Sequence, residues 1–505
     1  MGKKDKKKSK DTVRTSKREE ERMSKKLRTM ELVAGEVPLE DILRDIESKQ
    51  KQSNEITFKL SAPPSPRSNF TFVANPDEKE LILFGGEFYN GKKNFTYQEL
   101  FIYHVSTNLW TLVESDNTPL PRCAHQAVTG KYNNANSMFL FGGEFASESQ
   151  TRFHHYKDLW ALNLKSKKWS QIKTSSGPCA RSGHRMAPWK QGFLLFGGFS
   201  DSGCKTVYYN DLWSYDGNEN FWTKIQLPSI PQIVPRSGGS LFTSADFHSA
   251  FIYGGYSKQP SKSDDEKGIV HTDCFQVQIS GGKNLQVQLT SLRLGGCKPN
   301  PPRTCMACQR LRGGNNQCLF FGGVHDEEED SDEGPVMKSQ FSQDLLLLDL
   351  DKAKWLPFNY SEEGGANVPQ PRMRAGLALI GNQLFLYGGS FEGKREEVTL
   401  DDMHCLDLTQ RSWKCIHPGS AQHVVCASDS EDEETTSSEE DVEAPLPLKS
   451  ETQDQYLSRT LDFWCKMAED EECEEMSPTA SCPFSDETIA LAKNMASTFF
   501  SDNKS

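Results

Sequence analysis

Six arginines recur through the middle of this chain, Arg67, Arg122, Arg181, Arg236, Arg303 and Arg372, and five of them directly follow proline. A guanidinium is a planar fork of donors that matches a carboxylate or phosphate, so six on one surface would attract an acidic or phosphorylated peptide. The alternative is that each arginine is a structural donor to neighbouring backbone carbonyls. A second candidate is the CxxC of Cys305 and Cys308, with Cys297 and Cys318 nearby, which superficially suits zinc. It falls in what reads as a strand, where residues three apart point to opposite faces, and thiols packed as small apolar groups are the better account. His154-His155 lacks further ligands, and His125 and His184 each stand three residues after a repeat arginine, a position that repetition explains. No phosphate loop, nucleophile elbow or carboxylate pair is present to support catalysis. The chain is read as non-enzymatic, with no catalytic, metal or cofactor-binding residue.

The elements that must position the arginines are short strands. Between Arg181 and Trp222 four follow one another: one after Arg181, the apolar run Phe193 to Phe196, the alternating segment Asp211 to Tyr215 and a last one around Trp222. Four short strands cannot bury both faces of a sheet and need copies of themselves to pack against. Six apolar strands end in a diglycine, at Gly85-Gly86, Gly142-Gly143, Gly197-Gly198, Gly254-Gly255, Gly322-Gly323 and Gly388-Gly389. Glycine there permits positive φ and a sharp turn. Downstream an acidic-apolar pair leads, eleven residues on, to a tryptophan: Glu99 to Trp110, Asp158 to Trp169, Asp211 to Trp222, Asp344 to Trp355 and Asp402 to Trp413. The fourth copy departs, with Asn284 at that distance from Asp273.

Strand, diglycine, acidic-apolar pair and spaced tryptophan in series resemble the kelch repeat, over about two-thirds of the chain. The blocks FGGEFYNGK, RCAHQAV, HHYKDLW and FFGGVHDEEE place the resemblance among kelch propellers without the BTB domain of cullin-adaptor kelch proteins. The resemblance implies an all-β fold, a six-bladed kelch-type β-propeller with one four-stranded blade per repeat. Residues 55–418 are assigned to it, and Ile56 to Leu60 is read either as an extra outer strand sealing the ring or as a linker.

The flanks differ in composition. Of 505 residues only 36% are hydrophobic, which predicts sizeable disordered parts. Residues 1–54 form a disordered basic tail, opening KKDKKKSK, with a short helix at 38–48 carrying Leu39, Ile42, Leu43 and Ile46 on one face. Residues 419–449 form an acidic disordered linker in which Ser430 and Ser438 suit an acidophilic kinase, and 450–505 a small helical C-terminal extension. No apolar run approaches a membrane span and no signal peptide is present, which predicts a cytoplasmic protein with a nuclear share and reduced cysteines. A net charge of −12 opposes nucleic-acid binding except through the basic tail.

In an antiparallel blade the loop before the first strand and the loop between the second and third emerge together. The six arginines therefore share a face with the segments after the diglycines. Those segments carry Phe88, Tyr89, Lys92, Phe145, Phe199, Tyr256, Lys258, Phe391, Lys394 and Arg395, side chains of the kinds enriched in protein recognition. The twelve glycines and five tryptophans are assigned to the fold. The expected function is a protein-interaction scaffold or adaptor; substrate recognition in a ubiquitin ligase or other assembly, and a nuclear or ribosome-assembly role resting on the basic tail, are the alternatives.

Overall fold

The computed structural model describes residues 37–49 and 55–425, apart from short loop stretches at 148–149, 151, 203–204, 261–265, 282–284, 314–315, 332–333, 362–367, 393–395 and 421. The expected helices and phosphorylation sites beyond residue 425 lie outside the described residues, as does the lysine-rich segment before residue 37. Two units divide the chain, 1–428 and 429–505, and everything below concerns the first.

Six sheets, each built on four antiparallel strands, form the blades of a propeller. In the third, Arg185–Trp189, Gly192–Phe196, Leu212–Asp216 and Phe221–Ile225 pair in sequence order, with Tyr215 opposite Trp222. The apolar runs are second strands, buried on both faces, which is why they read as continuous hydrophobic blocks rather than as alternating ones. The first strands of all six blades surround an axial channel of about 340 Å³.

The core lies between blades as six separate clusters, one per junction. The cluster containing Phe72, Leu83, Trp110, Phe385 and Tyr387 joins the last blade to the first and closes the ring. Each tryptophan of the repeat fills a junction with the preceding blade. In the fourth blade the same register position, opposite Val277, is held by Leu289, which is 8% exposed. The hairpin there is five residues longer, so a search at fixed spacing lands on Asn284 instead.

Ile56–Ser61 is an outer fifth strand of the first blade, antiparallel to Leu109–Ser115. It seals nothing by itself. Closure comes from the chain just after it: Tyr387 Oη donates to the Pro64 carbonyl at 2.6 Å, Gly389 N to Arg67 O at 3.1 Å and Arg67 N to Leu400 O at 3.2 Å. The helix runs from Leu39 to Lys49, with Leu39 and Leu43 buried.

The two glycines after each second strand do different things. Gly197, at φ +67°, would place a Cβ 2.6 Å from the Arg236 carbonyl of the next blade, and Gly198 donates its N–H to that same carbonyl at 2.9 Å. A side chain at the first position would therefore push the blades apart at the point where the second ties them. Equivalent N–H bonds run from Gly86 to Arg122, Gly143 to Arg181, Gly323 to Arg372 and Gly389 to Arg67. Among the described residues the bond from Gly255 to Arg303 is not formed. Arg303 also leaves its Nε without a partner, so the seam between the fourth and fifth blades has fewer ties than the others. Hydrogen exchange read by mass spectrometry is expected to be faster at residues 303–308 than at the matching segment 181–186; equal protection would show that the missing bonds carry no weight.

Candidate functional site

The repeat arginines are positioned by the diglycine turns and consumed by them. Arg67, Arg122, Arg181, Arg236, Arg303 and Arg372 are 0–4% exposed. Each pairs with the acidic residue of its own repeat: Arg67 with Glu99 at 2.8 Å, Arg122 with Asp158 at 2.8 Å, Arg181 with Asp211 at 2.6 Å and Arg303 with Asp344 at 2.6 Å, while Arg236 pairs with Asp273 and Arg372 with Asp402. In all but Arg303 the guanidinium also donates to the carbonyl of the first glycine and, through Nε, to the carbonyl two residues upstream. Tyr97, Tyr156 and Tyr209 lie flat against Arg67, Arg122 and Arg181, 4.0 to 4.1 Å from ring centre to guanidinium carbon. Burial pushes the carboxyls of Asp158 and Asp211 up, but the arginine beside each outweighs it and leaves them below the usual range. The expected anion-attracting ring is thereby corrected: these guanidinium groups face inward and their donors are spent on the fold.

What the turns present to solvent is a set of hairpins. The segments after the diglycines are two-stranded in every blade, for example Glu87–Tyr89 with Asn94–Thr96, Phe199–Asp201 with Thr206–Tyr208, and Val324–Ser331 with Gly334–Phe341. In the fourth and sixth blades the second and third strands continue outward as Ser249–Pro260 with Glu266–Ser280 and Gln383–Glu392 with Glu396–Asp407. The first residue of each segment, Glu87, Glu144, Phe199, Tyr256, Val324 or Ser390, bridges to the residue after a repeat arginine. Strand alternation then sends the next residue the other way.

That parity sorts the expected aromatics. Phe199 and Tyr256, directly after the diglycine, line a mouth of about 620 Å³ at the end of the channel. Phe88, Phe145 and Phe391, one residue later, are not among its walls: Phe88 is 9% exposed and stacks on Phe95, and Phe391 meets Phe341 edge to face. Tyr89 donates its hydroxyl to the Gly91 carbonyl, and Lys92 and Lys258 are exposed on the hairpins. Lys394 and Arg395 lie outside the described residues.

The floor of the mouth is a feature that the sequence reading missed. Two positions after each repeat arginine stand Asn69, Ala124, Gly183, Gly238, Cys305 and Arg374, all at positive φ between +51° and +63°. Five main-chain bonds link them in series about the axis: Ala124 N to Asn69 O, Gly183 N to Ala124 O and Gly238 N to Gly183 O, each at 2.9 Å, Arg374 N to Cys305 O at 3.2 Å and Asn69 N to Arg374 O at 3.4 Å. Among the described residues the sixth, from Cys305 N to Gly238 O, is not formed, at the same seam between the fourth and fifth blades. Cys305 therefore precedes its strand, which begins at Ala307, and it is half-buried on the floor, a correction to its reading as a buried strand residue. Cys308 is half-buried too, Cys297 is exposed and Cys318 is buried. Among the described residues no group of three or more His, Cys, Asp or Glu is placed to hold a metal ion.

The walls carry three acidic residues and two arginines. Glu144, Asp326 and Glu392 line the mouth, against the cations Arg185 and Arg374. Burial and the fields of Glu87 and Asp201 push the Glu144 carboxyl up to about 8, and burial with Glu392 raises that of Glu397. His155 is fixed in one tautomer, since its Nε2 accepts from the Asp201 backbone N–H at 2.8 Å, leaving Nδ1 to donate to Ser182 Oγ at 2.8 Å. Burial keeps its pKa down at about 4. His125 and His184 are fully buried under the diglycine turns.

Six blades, each with a buried arginine–carboxylate pair, form a propeller that carries hairpins around a mouth on one face. Residues 69–288 match the KLHDC2/KLHL20/DRC7 Kelch-repeats domain. The chain is 25% identical over 337 residues to bovine Kelch domain-containing protein 2 (Bos taurus), covering 62% of this chain and 74% of that protein. It is 22% identical over 327 residues to the Caenorhabditis elegans host cell factor homolog hcf-1, covering 61% and 38%. The Schizosaccharomyces pombe Mei4-dependent protein 6 is 25% identical over 210 residues, covering 38% and 29%. The chain spans less than two-fifths of the length of the last two of these relatives. Over residues 69–288 the chain is thus similar to kelch-repeat domains, and its fold is that of a six-bladed propeller.

Proposed function

We propose that the protein is an interaction scaffold that holds a partner protein against the hairpin face. The observation that carries this reading is the convergence of five unrelated hairpin sequences, those of the second to sixth blades, on one mouth, where the half-exposed rings of Phe199, Tyr208, Tyr256 and Phe341 are presented by the ring of blades. Variable segments on a fixed frame are a general means of recognition. Similarity to Kelch domain-containing protein 2 and to host cell factors supports it, and so does the resemblance of blocks such as FGGEFYNGK and DMHCLDL to kelch domain-containing protein 4 and its relatives.

Affinity purification of the intact chain beside a Phe199→Ala/Tyr256→Ala variant tests the proposal. Partners are expected to be lost while circular dichroism stays unchanged, because both rings stand on the mouth and not in a blade junction. Identical partner lists would move the binding surface elsewhere. A cullin in the wild-type list would assign the scaffold to a ubiquitin ligase.

A further inference from the structure

The charge of the mouth runs against the ligand that its arginines suggested. All six repeat arginines are buried and paired. Of the two remaining cations, Arg185 gives its Nε to the Gly239 carbonyl and Nη1 to the His184 carbonyl, and Arg374 lies in the fields of Glu87 and Glu397. Asp326 and Glu392 line the opening, with the carboxyl of Glu144 beside them. An anionic ligand entering here would meet like charge in a partly desolvated site.

Glu144 supplies a separate observation. Its side chain is 13% exposed, it forms part of the wall, and its Oε2 is buried without a hydrogen-bond partner. The neighbouring His155 Nδ1, 3.3 Å away, belongs to a neutral ring whose proton is directed to Ser182. A buried acceptor left unsatisfied costs free energy that an incoming donor recovers, and a cation arriving beside Glu144, whose carboxyl burial keeps largely protonated at neutral pH, draws it into the charged form. The aromatic rings that share the wall suit the same visitor, because lysine and arginine lay their alkyl stems on apolar surface and their charge over a ring face.

We propose that the mouth takes a lysine- or arginine-bearing segment of a partner protein, with its cationic head between Glu144 and Glu392 and its stem against Phe199 and Tyr256. The inference rests on the reading of this face as the recognition surface and adds the chemistry of what is recognised. A cavity of about 620 Å³ holds one or two such side chains with their backbone, so the partner contributes an extended segment and not a folded surface.

The test is fluorescence anisotropy with the full chain and a labelled, capped hexapeptide alternating lysine and arginine, beside a hexapeptide alternating glutamate and aspartate. The basic probe is expected to bind and the acidic one not to. A Glu144→Gln/Glu392→Gln variant, isosteric at both positions, is expected to weaken the basic probe about tenfold, or ~1.4 kcal/mol. This difference is the readout, because the acidic stretch 429–443 attracts the probe equally in both proteins. Equal affinity for the two proteins, or preference for the acidic probe, overturns the proposal. Binding that emerges only after removal of residues 1–28 overturns it in favour of the chain's own lysine-rich tail. Loss of natural partners in the Phe199/Tyr256 variant, combined with a basic probe indifferent to the carboxylates, would remove this inference and leave the recognition face standing.

Discussion

Replacing Arg372 by methionine is expected to lower the free energy of unfolding by about 3–5 kcal/mol, because it leaves the Asp402 carboxylate buried without its main partner. Arg372 is 1% exposed, its Nη2 is 2.8 Å from Asp402 Oδ2, and it also serves the carbonyls of Gly388 and Gln370. Urea unfolding followed by tryptophan fluorescence measures the loss, and a change below about 1 kcal/mol, the worth of an exposed pair, would show that the network is dispensable. Adding Asp402→Leu is expected to restore much of the stability, since removing both charges is far cheaper than stranding one. The effect carries a pH signature. Burial raises the Asp402 carboxyl, but hydrogen bonds from His404 and Arg372 outweigh it and hold the pKa at about 2, below its ordinary 3.8. A depressed carboxyl contributes stability above its unfolded pKa and loses that contribution as pH falls through the folded one. The gap between wild type and Arg372→Met should therefore narrow as the pH is lowered from 4 to 2.

Trp222→Ala is expected to cost about 3–5 kcal/mol by opening a cavity at the junction of the second and third blades. The indole packs at centroid distances of 5.5 Å from Phe141 of one blade and 5.3 and 5.1 Å from Phe193 and Tyr215 of the other, so the blades cannot close over the gap without turning about the axis. The matched change is Leu289→Ala in the fourth blade, with an expected loss at the lower end of the ~2–5 kcal/mol range for leucine. Thermal denaturation of both variants decides it. A Leu289→Ala protein less stable than Trp222→Ala would mean that the third-to-fourth junction depends on this one position, and that Trp189 and Ile279 in the same cluster do not share the load.

The blades were legible in the sequence because two independent signals coincide in each repeat: an apolar run of strand length and a diglycine that ends it. The arginine–carboxylate pairs were not, although both members had been noticed. They stand 30 to 41 residues apart, and nothing local says that a residue opening the first strand and one opening the third meet beneath the turn. One acidic residue per arginine in every repeat was the available clue. Leu289 escaped because spacing was counted along the chain, whereas the fold preserves register across the hairpin. The mouth was half legible. Its face followed from strand direction, but Phe88 and Phe199 were grouped as equivalent when strand parity separates them, and Glu144 went unremarked because an acidic residue in a surface segment signals little until its burial is known.

The floor of left-handed residues has a consequence for how such a protein changes over time. Its linkage, in five of six steps, is carried by main-chain N–H and carbonyl groups, and the side chains at the six positions already range from none at Gly183 to a guanidinium at Arg374. Asparagine, aspartate and glycine tolerate this backbone at the least cost. A lineage could thus rewrite the innermost surface that a ligand meets, one position at a time, while the architecture around it is inherited unaltered.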